Sequence, residues 1–326
     1  MIRKVAECGV DAVKLQKRDN KSLYTKRFYD SYYNSENAYG ATYGEHREAL
    51  EFGKTEYQAC KDLTQELGMV FLVTAFDIPS VDFLRELNVC SIKIASGSLT
   101  NLPLISYAAD SGANLVVSTG GGSLEDVERA VEAAGSCLSV LMQCTAIYPA
   151  PYETLNLGVI RTLREHFPEI EIGASLHDVG IAMSLAAYLL GATVIEKHFT
   201  LNRTWKGTDH AFSLEPQGMK KLVRDLRRAE VAVGDGRKHR LDEEDTALLK
   251  MSQACYFRTR LRAGHVMTPE DIAFLSPGGG LNPSAVHEII GKTLVRDVEE
   301  EELISFGDFS QGRYFSDHRG VHPDRA

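Results

Sequence analysis

The 326-residue chain has a single tryptophan, ten prolines and no CxxC spacing among its six cysteines, Cys8, Cys60, Cys90, Cys137, Cys144 and Cys255. Scattered thiols speak against a zinc ribbon and against a disulfide-stapled secreted scaffold. No apolar run reaches the roughly 18 residues that a membrane helix needs. Asp and Glu outnumber Lys and Arg by 45 to 36, a net charge of -9, and no dense basic cluster interrupts that balance. A nucleic-acid partner would need a basic face, so none is expected. The residues after Met1, IRKVAE, resemble neither a signal peptide nor a transit peptide. No internal repeat or low-complexity tract is present. These absences leave an acidic, cytoplasmic protein with reduced thiols and no membrane partner as the expectation.

Short runs rich in β-branched residues alternate with longer stretches of helical period. The strand-like runs are Asp11–Gln16, Val70–Phe76, Ser91–Ser96, Asn114–Gly120, Ser139–Thr145, Glu171–Ser175 and Thr193–Thr200. Between them lie amphipathic stretches at Ile2–Cys8, Glu45–Leu67, Ser80–Leu87, Ser123–Ala134, Leu155–Phe167 and Ile181–Leu190. Gly68, Gly112 and Gly191 stand where helices should stop, since glycine accepts a left-handed C-cap. Such alternation predicts a (β/α) fold, a barrel or a doubly wound sheet, with a parallel sheet covered by helices. Seven strands and an opening helix are one strand short of a closed eight-stranded barrel. Residues 1–233 then form the large domain, and the charged, Gly-punctuated 234–253 reads as a linker. Residues 254–309 carry short strand signals and turn formers, a small β-rich module, and the polar 310–326 reads as a disordered tail.

In (β/α) barrels the chemistry sits at the C-terminal ends of strands. Here those ends carry Lys14-Leu15-Gln16, Lys93 ahead of Ser96-Gly97-Ser98, Ser118-Thr119-Gly120, Gln143-Cys144-Thr145, Ser175-Leu176-His177 and Glu196-Lys197-His198. A lone strand lysine is usually an edge residue, and a lone histidine at a strand end is usually structural. Two of each at the ends of separate strands point instead to a site. Buried lysines need an anion, and Ser-Gly turns offer backbone N–H donors for phosphate or carboxylate. His177 and His198 are of the type to share a divalent metal while leaving positions open for substrate oxygens. Gly120-Gly121-Gly122 lacks dinucleotide-binding spacing. The polar segment Trp205–His210 reads as a substrate loop.

These residues fall in motifs that together resemble one family. DAVKLQ, TYGEHREALEF, TAFDIPSVDFL, IKIASGSLTNLP, STGG, QCTAIYPAP, IEKHFTL and TWKGTDHAFSLEP occur in order, followed by LRAGHVMTPEDI, SPGGG and IIGKTLV. The chain resembles the sialic acid synthases (N-acetylneuraminate and N-acetylneuraminate 9-phosphate synthases) over about residues 1–309. The resemblance implies a TIM (β/α)8-type barrel whose first strand would lie ahead of Met1, followed by a small β-rich antifreeze-like (SAF) domain. It implies a domain-swapped homodimer and the condensation of phosphoenolpyruvate with N-acetylmannosamine or its 6-phosphate. By motif, Lys14 and Lys93 would hold phosphoenolpyruvate, helped by Thr74, Ser96 and Ser175. His177 and His198 would bind Mn2+ or Mg2+. Glu196 and Asp209 would handle protons or acceptor hydroxyls, Lys93 would share the catalytic work, and Tyr148 would line the acceptor pocket. Ser98 stands where the family usually has an acidic residue, and Ser276 where many bacterial members have arginine. TYGEH and TWKGTDH sit closer to the animal-type 9-phosphate synthases. Two alternatives accompany this reading: a synthase of another nonulosonic acid (pseudaminic, legionaminic or mannose-derived), or a non-catalytic paralogue.

Overall fold

The computed structural model describes residues 1–310; of the tail expected to be disordered, all but Ser310 lies outside the described residues. The chain divides into two units, Met1–Gly234 and a second that begins at Asp235. Seven parallel strands build the first: β1 (Ala12–Lys17), β2 (Val70–Ala75), β3 (Ser91–Ile94), β4 (Asn114–Ser118), β5 (Leu138–Cys144), β6 (Glu171–Ser175) and β7 (Val194–Glu196). They lie side by side in sequence order, with helices in the connections. β1 and β7 form no ladder with each other among the described residues, yet Lys14 of β1 bonds to Glu196 of β7. Two edges six strands apart can meet only if the sheet curls, so the seven strands form an incomplete barrel.

Alternation along each strand divides the residues between two surroundings. Val73, Ala75, Ile92, Ile94, Leu115, Val117, Leu141, Ile172 and Ala174 face outward into one apolar layer. Helix residues such as Val81, Leu84, Ile105, Val127, Ala130, Ile160 and Leu163 close that layer from outside. Each fully buried Val, Leu or Ile there is worth about 1.5–3 kcal/mol. The intervening Lys14, Thr74, Lys93, Ser175 and Glu196 are left to face inward. The helix stops are where glycine placed them: Gly68 has φ +74° and Gly112 φ +76°, with open space around the missing Cβ, so conformation alone selects glycine. A separate apolar cluster, Val5, Cys8, Leu214, Met219 and Leu222 with Val10, Val13 and Phe199, packs where β1 and β7 approach. There Leu214 donates its N–H to the His198 carbonyl at 2.8 Å and accepts from Thr200 N–H at 2.9 Å.

Three elements differ from expectation. The single stretch Glu45–Leu67 is two helices, Tyr43–Glu48 and Lys54–Glu66. Glu51 lies in the break, and its carboxylate takes Lys17 Nζ at 2.9 Å, a pairing that draws the chain out of the helix. Gly53 restarts it, with Glu56 accepting the Gly53 N–H at 3.0 Å. The strand expected at Thr193–Thr200 ends at Glu196, beyond which Phe199 bridges to Leu214. The stretch read as linker holds a helix, Asp245–Met251. Within the second unit, β8 (Ala254–Phe257) pairs antiparallel with β9 (Ile272–Leu275). Cys255, Phe257, Met267, Ile272, Ile289, Leu294, Val298 and Ile304 form its small core. Among the described residues no helix is long and apolar enough to cross a membrane.

Candidate active site

Glu196 ends β7 with its carboxylate inside the barrel. Oε1 accepts from Lys14 Nζ and from Ser175 Oγ (3.0 Å); Oε2 accepts from Lys93 Nζ (2.8 Å). Three donors on β1, β3 and β6 thus converge on one carboxylate, two of them in charge-assisted bonds. Burial alone would push the Glu196 carboxyl up, but Lys14 and Lys93 outweigh it and hold it well below the usual carboxylate range. It is an anion at neutral pH. Lys93 is only 1% exposed, and burial pushes its ammonium down to about 8 despite the Glu196 partner. Two cations against one anion leave the cluster with a surplus positive charge. Thr74, beside Lys93 in the strand register, is fully buried with a hydroxyl that has no partner among the described residues. A buried hydroxyl in that position is suited to hydrogen-bond a polar ligand group.

Ser96 accepts the Gly120 N–H at 3.1 Å and borders a depression of about 310 Å³, lined by Gly97, Gly120, Gly121, Gly122 and Ala146. A Cβ on Gly120 would stand 2.7 Å from Ser96 Oγ, so only glycine lets the two strand ends approach. Ser98, four residues past the end of β3, is buried close by.

The histidines face each other across the ends of β6 and β7, ring centroids 5.2 Å apart. His177 Nδ1 lies 3.0 Å from the Thr145 carbonyl, which can only accept, so the proton sits on Nδ1. His198 Nδ1 lies 3.4 Å from Asp209 Oδ2. Both rings therefore direct a proton to an outer partner and leave Nε2 as a lone-pair donor, the arrangement that metal-binding imidazoles adopt. Burial pushes His177 down to about 4, so it is neutral and ready to ligate at pH 7. Burial would raise the Asp209 carboxyl, but His198 holds it below the usual range. The pair fits two ligand positions of a divalent ion. No cluster of three His, Cys, Asp or Glu converges among the described residues, so an ion held by this pair would need further donors from outside such a cluster. Tyr148 packs on His177 at 4.2 Å and Phe212 on His198 at 5.1 Å, walling the site with aromatic faces.

All ten residues singled out from the sequence thus lie at one end of the barrel. Sequence reasoning missed Phe212 and a buried ion pair. Lys197 Nζ donates to Asp178 Oδ1 at 2.8 Å and to its carbonyl at 2.6 Å, both side chains almost fully buried. The pair ties together the residues adjacent to His177 and His198. Alternation held the signal: with Glu196 and His198 inward, Lys197 had to face outward into the apolar layer, where a lysine needs a carboxylate. The Trp205–His210 segment is anchored to the loop after β1, where Tyr39 Oη donates to the Lys206 carbonyl at 2.7 Å and Gly207 N–H to Asn37 Oδ1 at 2.8 Å.

Comparison with known proteins shows the family of the chain. The NeuB family model matches residues 1–238 and the SAF domain model residues 252–310. The human N-acetylneuraminate-9-phosphate synthase is 34% identical over 93% of this chain and 86% of its own length. The N,N'-diacetyllegionaminic acid synthase of Legionella pneumophila is 36% identical over 88% of this chain and 83% of its own. Among solved structures, the N-acetylneuraminic acid synthetase of Leptospira borgpetersenii in complex with citrate superposes with a TM-score of 0.63 at 33% identity, covering 76% of this chain and 82% of that one.

Proposed function

The chain belongs to the NeuB family, and from that premise we propose that it condenses phosphoenolpyruvate with N-acetylmannosamine or its 6-phosphate, plus water, to a sialic acid or its 9-phosphate and inorganic phosphate. The observation that carries this reading is the Glu196 hub, where two lysines with a surplus positive charge, Lys93 buried and Lys14 partly buried, stand beside two imidazoles with free Nε2 atoms. Phosphoenolpyruvate brings a phosphate and a carboxylate on adjacent carbons. Lys14 and Lys93 take those two groups, and the unpartnered Thr74 hydroxyl, Ser96 and Ser175 complete the hydrogen bonds. The enol C3 then attacks the acceptor aldehyde, and positive charge develops at C2. Glu196, ionised, is suited to stabilise that charge and to accept from a water or an acceptor hydroxyl, rather than to donate a proton. Water adds to C2 and phosphate departs with the bridging oxygen.

Mn2+ or Mg2+, held by His177 and His198, supplies Lewis-acid polarisation of a carbonyl oxygen when bound. Asp209 keeps His198 in the tautomer that leaves Nε2 free, and its half-exposed carboxylate is placed to meet acceptor hydroxyls. Tyr148 flanks the acceptor. The homodimer with exchanged C-terminal domains belongs to the same proposal. A second reading, an acceptor with two N-acetyl groups, draws on the name of the Legionella relative. Phosphate release from phosphoenolpyruvate with Mn2+ and each acceptor tests the proposal. Lys93→Ala and His198→Ala should each abolish release while circular dichroism stays native, and full activity in either variant overturns the assignment.

A further inference from the structure

Two residues that the proposed chemistry does not use stand immediately beside the two histidines. Asp178 follows His177 and Lys197 precedes His198, and their side chains are 1% and 2% exposed. Lys197 Nζ donates to Asp178 Oδ1 at 2.8 Å and to the Asp178 carbonyl at 2.6 Å. Asp178 Oδ2 is buried with no partner among the described residues. A buried ion pair adds little net stability, because desolvation offsets most of the attraction, and an unsatisfied carboxylate oxygen raises that cost. Two well-packed apolar side chains would serve the fold as well. The pair needs a reason besides stability.

The backbone around it supplies one. β6 and β7 run in register as far as Ser175 and Glu196, and the last main-chain bond between them is Leu176 N–H to the Glu196 carbonyl at 3.1 Å. The histidines come just after that point, and each is held toward a different neighbour. The His177 carbonyl accepts the Ala150 N–H at 3.1 Å, and its Nδ1 donates to the Thr145 carbonyl. The His198 carbonyl accepts the Leu214 N–H at 2.8 Å, and its Nδ1 faces Asp209. β7 is three residues long and has no ladder on its other side among the described residues. Past the end of the ladder, the hydrogen bonds that join residues 177–181 to 197–200 among the described residues are the two from Lys197 Nζ. They fix the backbone of one histidine relative to the other, with the ring centroids 5.2 Å apart. Two imidazoles share an ion only while the spacing of their Nε2 atoms is kept. We propose that Lys197 and Asp178 are positioning residues that preset the two imidazoles for a divalent ion, so that the pair contributes to metal affinity and not to net stability. This rests on the reading of His177 and His198 as ligands.

The test measures Mn2+ binding to the full chain without substrate, by calorimetry and by the electron paramagnetic resonance of free Mn2+. The wild type should bind Mn2+, and His177→Ala and His198→Ala should each lose it. The decisive variant is Lys197→Met with Asp178→Leu, which removes both charges and leaves no buried ion. Its unfolding in denaturant should stay close to that of the wild type, yet its Mn2+ affinity should fall about 10- to 100-fold, the range for outer partners of metal ligands. Phosphoenolpyruvate affinity without metal draws on Lys14 and Lys93 and should stay within about threefold. Lys197→Arg keeps a cation against Asp178 and should retain most of the Mn2+ affinity. Native Mn2+ affinity in the folded double variant overturns the proposal and makes the pair a feature of the fold alone. Equal losses of Mn2+ and phosphoenolpyruvate binding overturn it too, because they report general loosening of the barrel. Should the double variant not fold, Lys197→Gln with Asp178→Asn is read by the same ratio. No Mn2+ binding by the wild type, or binding that survives His198→Ala, sinks the ligand reading first and the positioning role with it.

Discussion

Glu196 and Lys197 are neighbours in sequence yet face opposite sides of the sheet, and each belongs to a buried ion cluster. Outside, Lys197 and Asp178 balance one for one. Inside, Lys14 and Lys93 share the single carboxylate of Glu196. A balanced buried pair neutralises its own charge, although Asp178 Oδ2 has no partner among the described residues, and it fixes geometry, here the segments that bear His177 and His198. An unbalanced one retains electrostatic demand for a further anion. The two clusters differ in charge count and also in burial, since the outer pair is almost fully buried while Lys14 and Glu196 keep 21% and 15% of their side chains exposed; beside the inner Lys93 stands the Thr74 hydroxyl, which has no partner among the described residues.

The largest expected effect comes from breaking the outer pair. Lys197→Met leaves Asp178 as an uncompensated buried charge and should destabilise the protein by about 3–5 kcal/mol, measured by chemical denaturation. Adding Asp178→Leu should recover most of that loss. Within the inner cluster, the corresponding double change Lys93→Met with Glu196→Leu should also fold, but without measurable phosphoenolpyruvate binding. Recovery of binding there would erase the distinction between the clusters.

A pH series sharpens the same contrast. Lys93 titrates at about 8 in the folded chain against an ordinary lysine value of 10.5. Its positive charge is lost as pH rises through about 8, so phosphoenolpyruvate affinity should fall there, roughly tenfold per pH unit if one proton is required. Between about 8 and 10.5 the unfolded chain binds the proton that the folded chain has released, so the Lys93 contribution to stability rises with pH. Glu196 acts at the other end: its depressed carboxyl contributes stability that is present above the usual carboxylate value and lost as pH falls through its folded value. Binding and stability moving together above pH 8 would contradict this assignment.

The smallest effect is that of Thr74→Val. Because the Thr74 hydroxyl has no partner, its removal should change stability by less than about 1 kcal/mol while weakening phosphoenolpyruvate binding about tenfold. A stability loss without a binding loss would make Thr74 a core residue only.

Most of the barrel was legible because its signals are local. Outward apolar residues at every second position, as in Val73–Ala75 and Ile92–Ile94, mark the strands, and glycine at 68 and 112 marks the helix ends. Lys14, Lys93, His177 and His198 stood out because such residues at strand ends need partners. What escaped depends on contacts distant in sequence. Glu51 leaves its helix for Lys17, 34 positions away. Lys197 finds Asp178 across a strand junction. The role of Glu196 as a hub follows from the curl that brings β7 to β1, which no local pattern encodes.

The central claim is that the two inner lysines hold phosphoenolpyruvate for attack by C3 and addition of water at C2. Phosphoenolpyruvate labelled with 18O in its bridging position tests it most directly. Attack by C3 with addition of water at C2 gives phosphate release that depends on the acceptor sugar, with the label recovered in inorganic phosphate. Acceptor-independent release of unlabelled phosphate would mean hydrolysis at phosphorus and would contradict it.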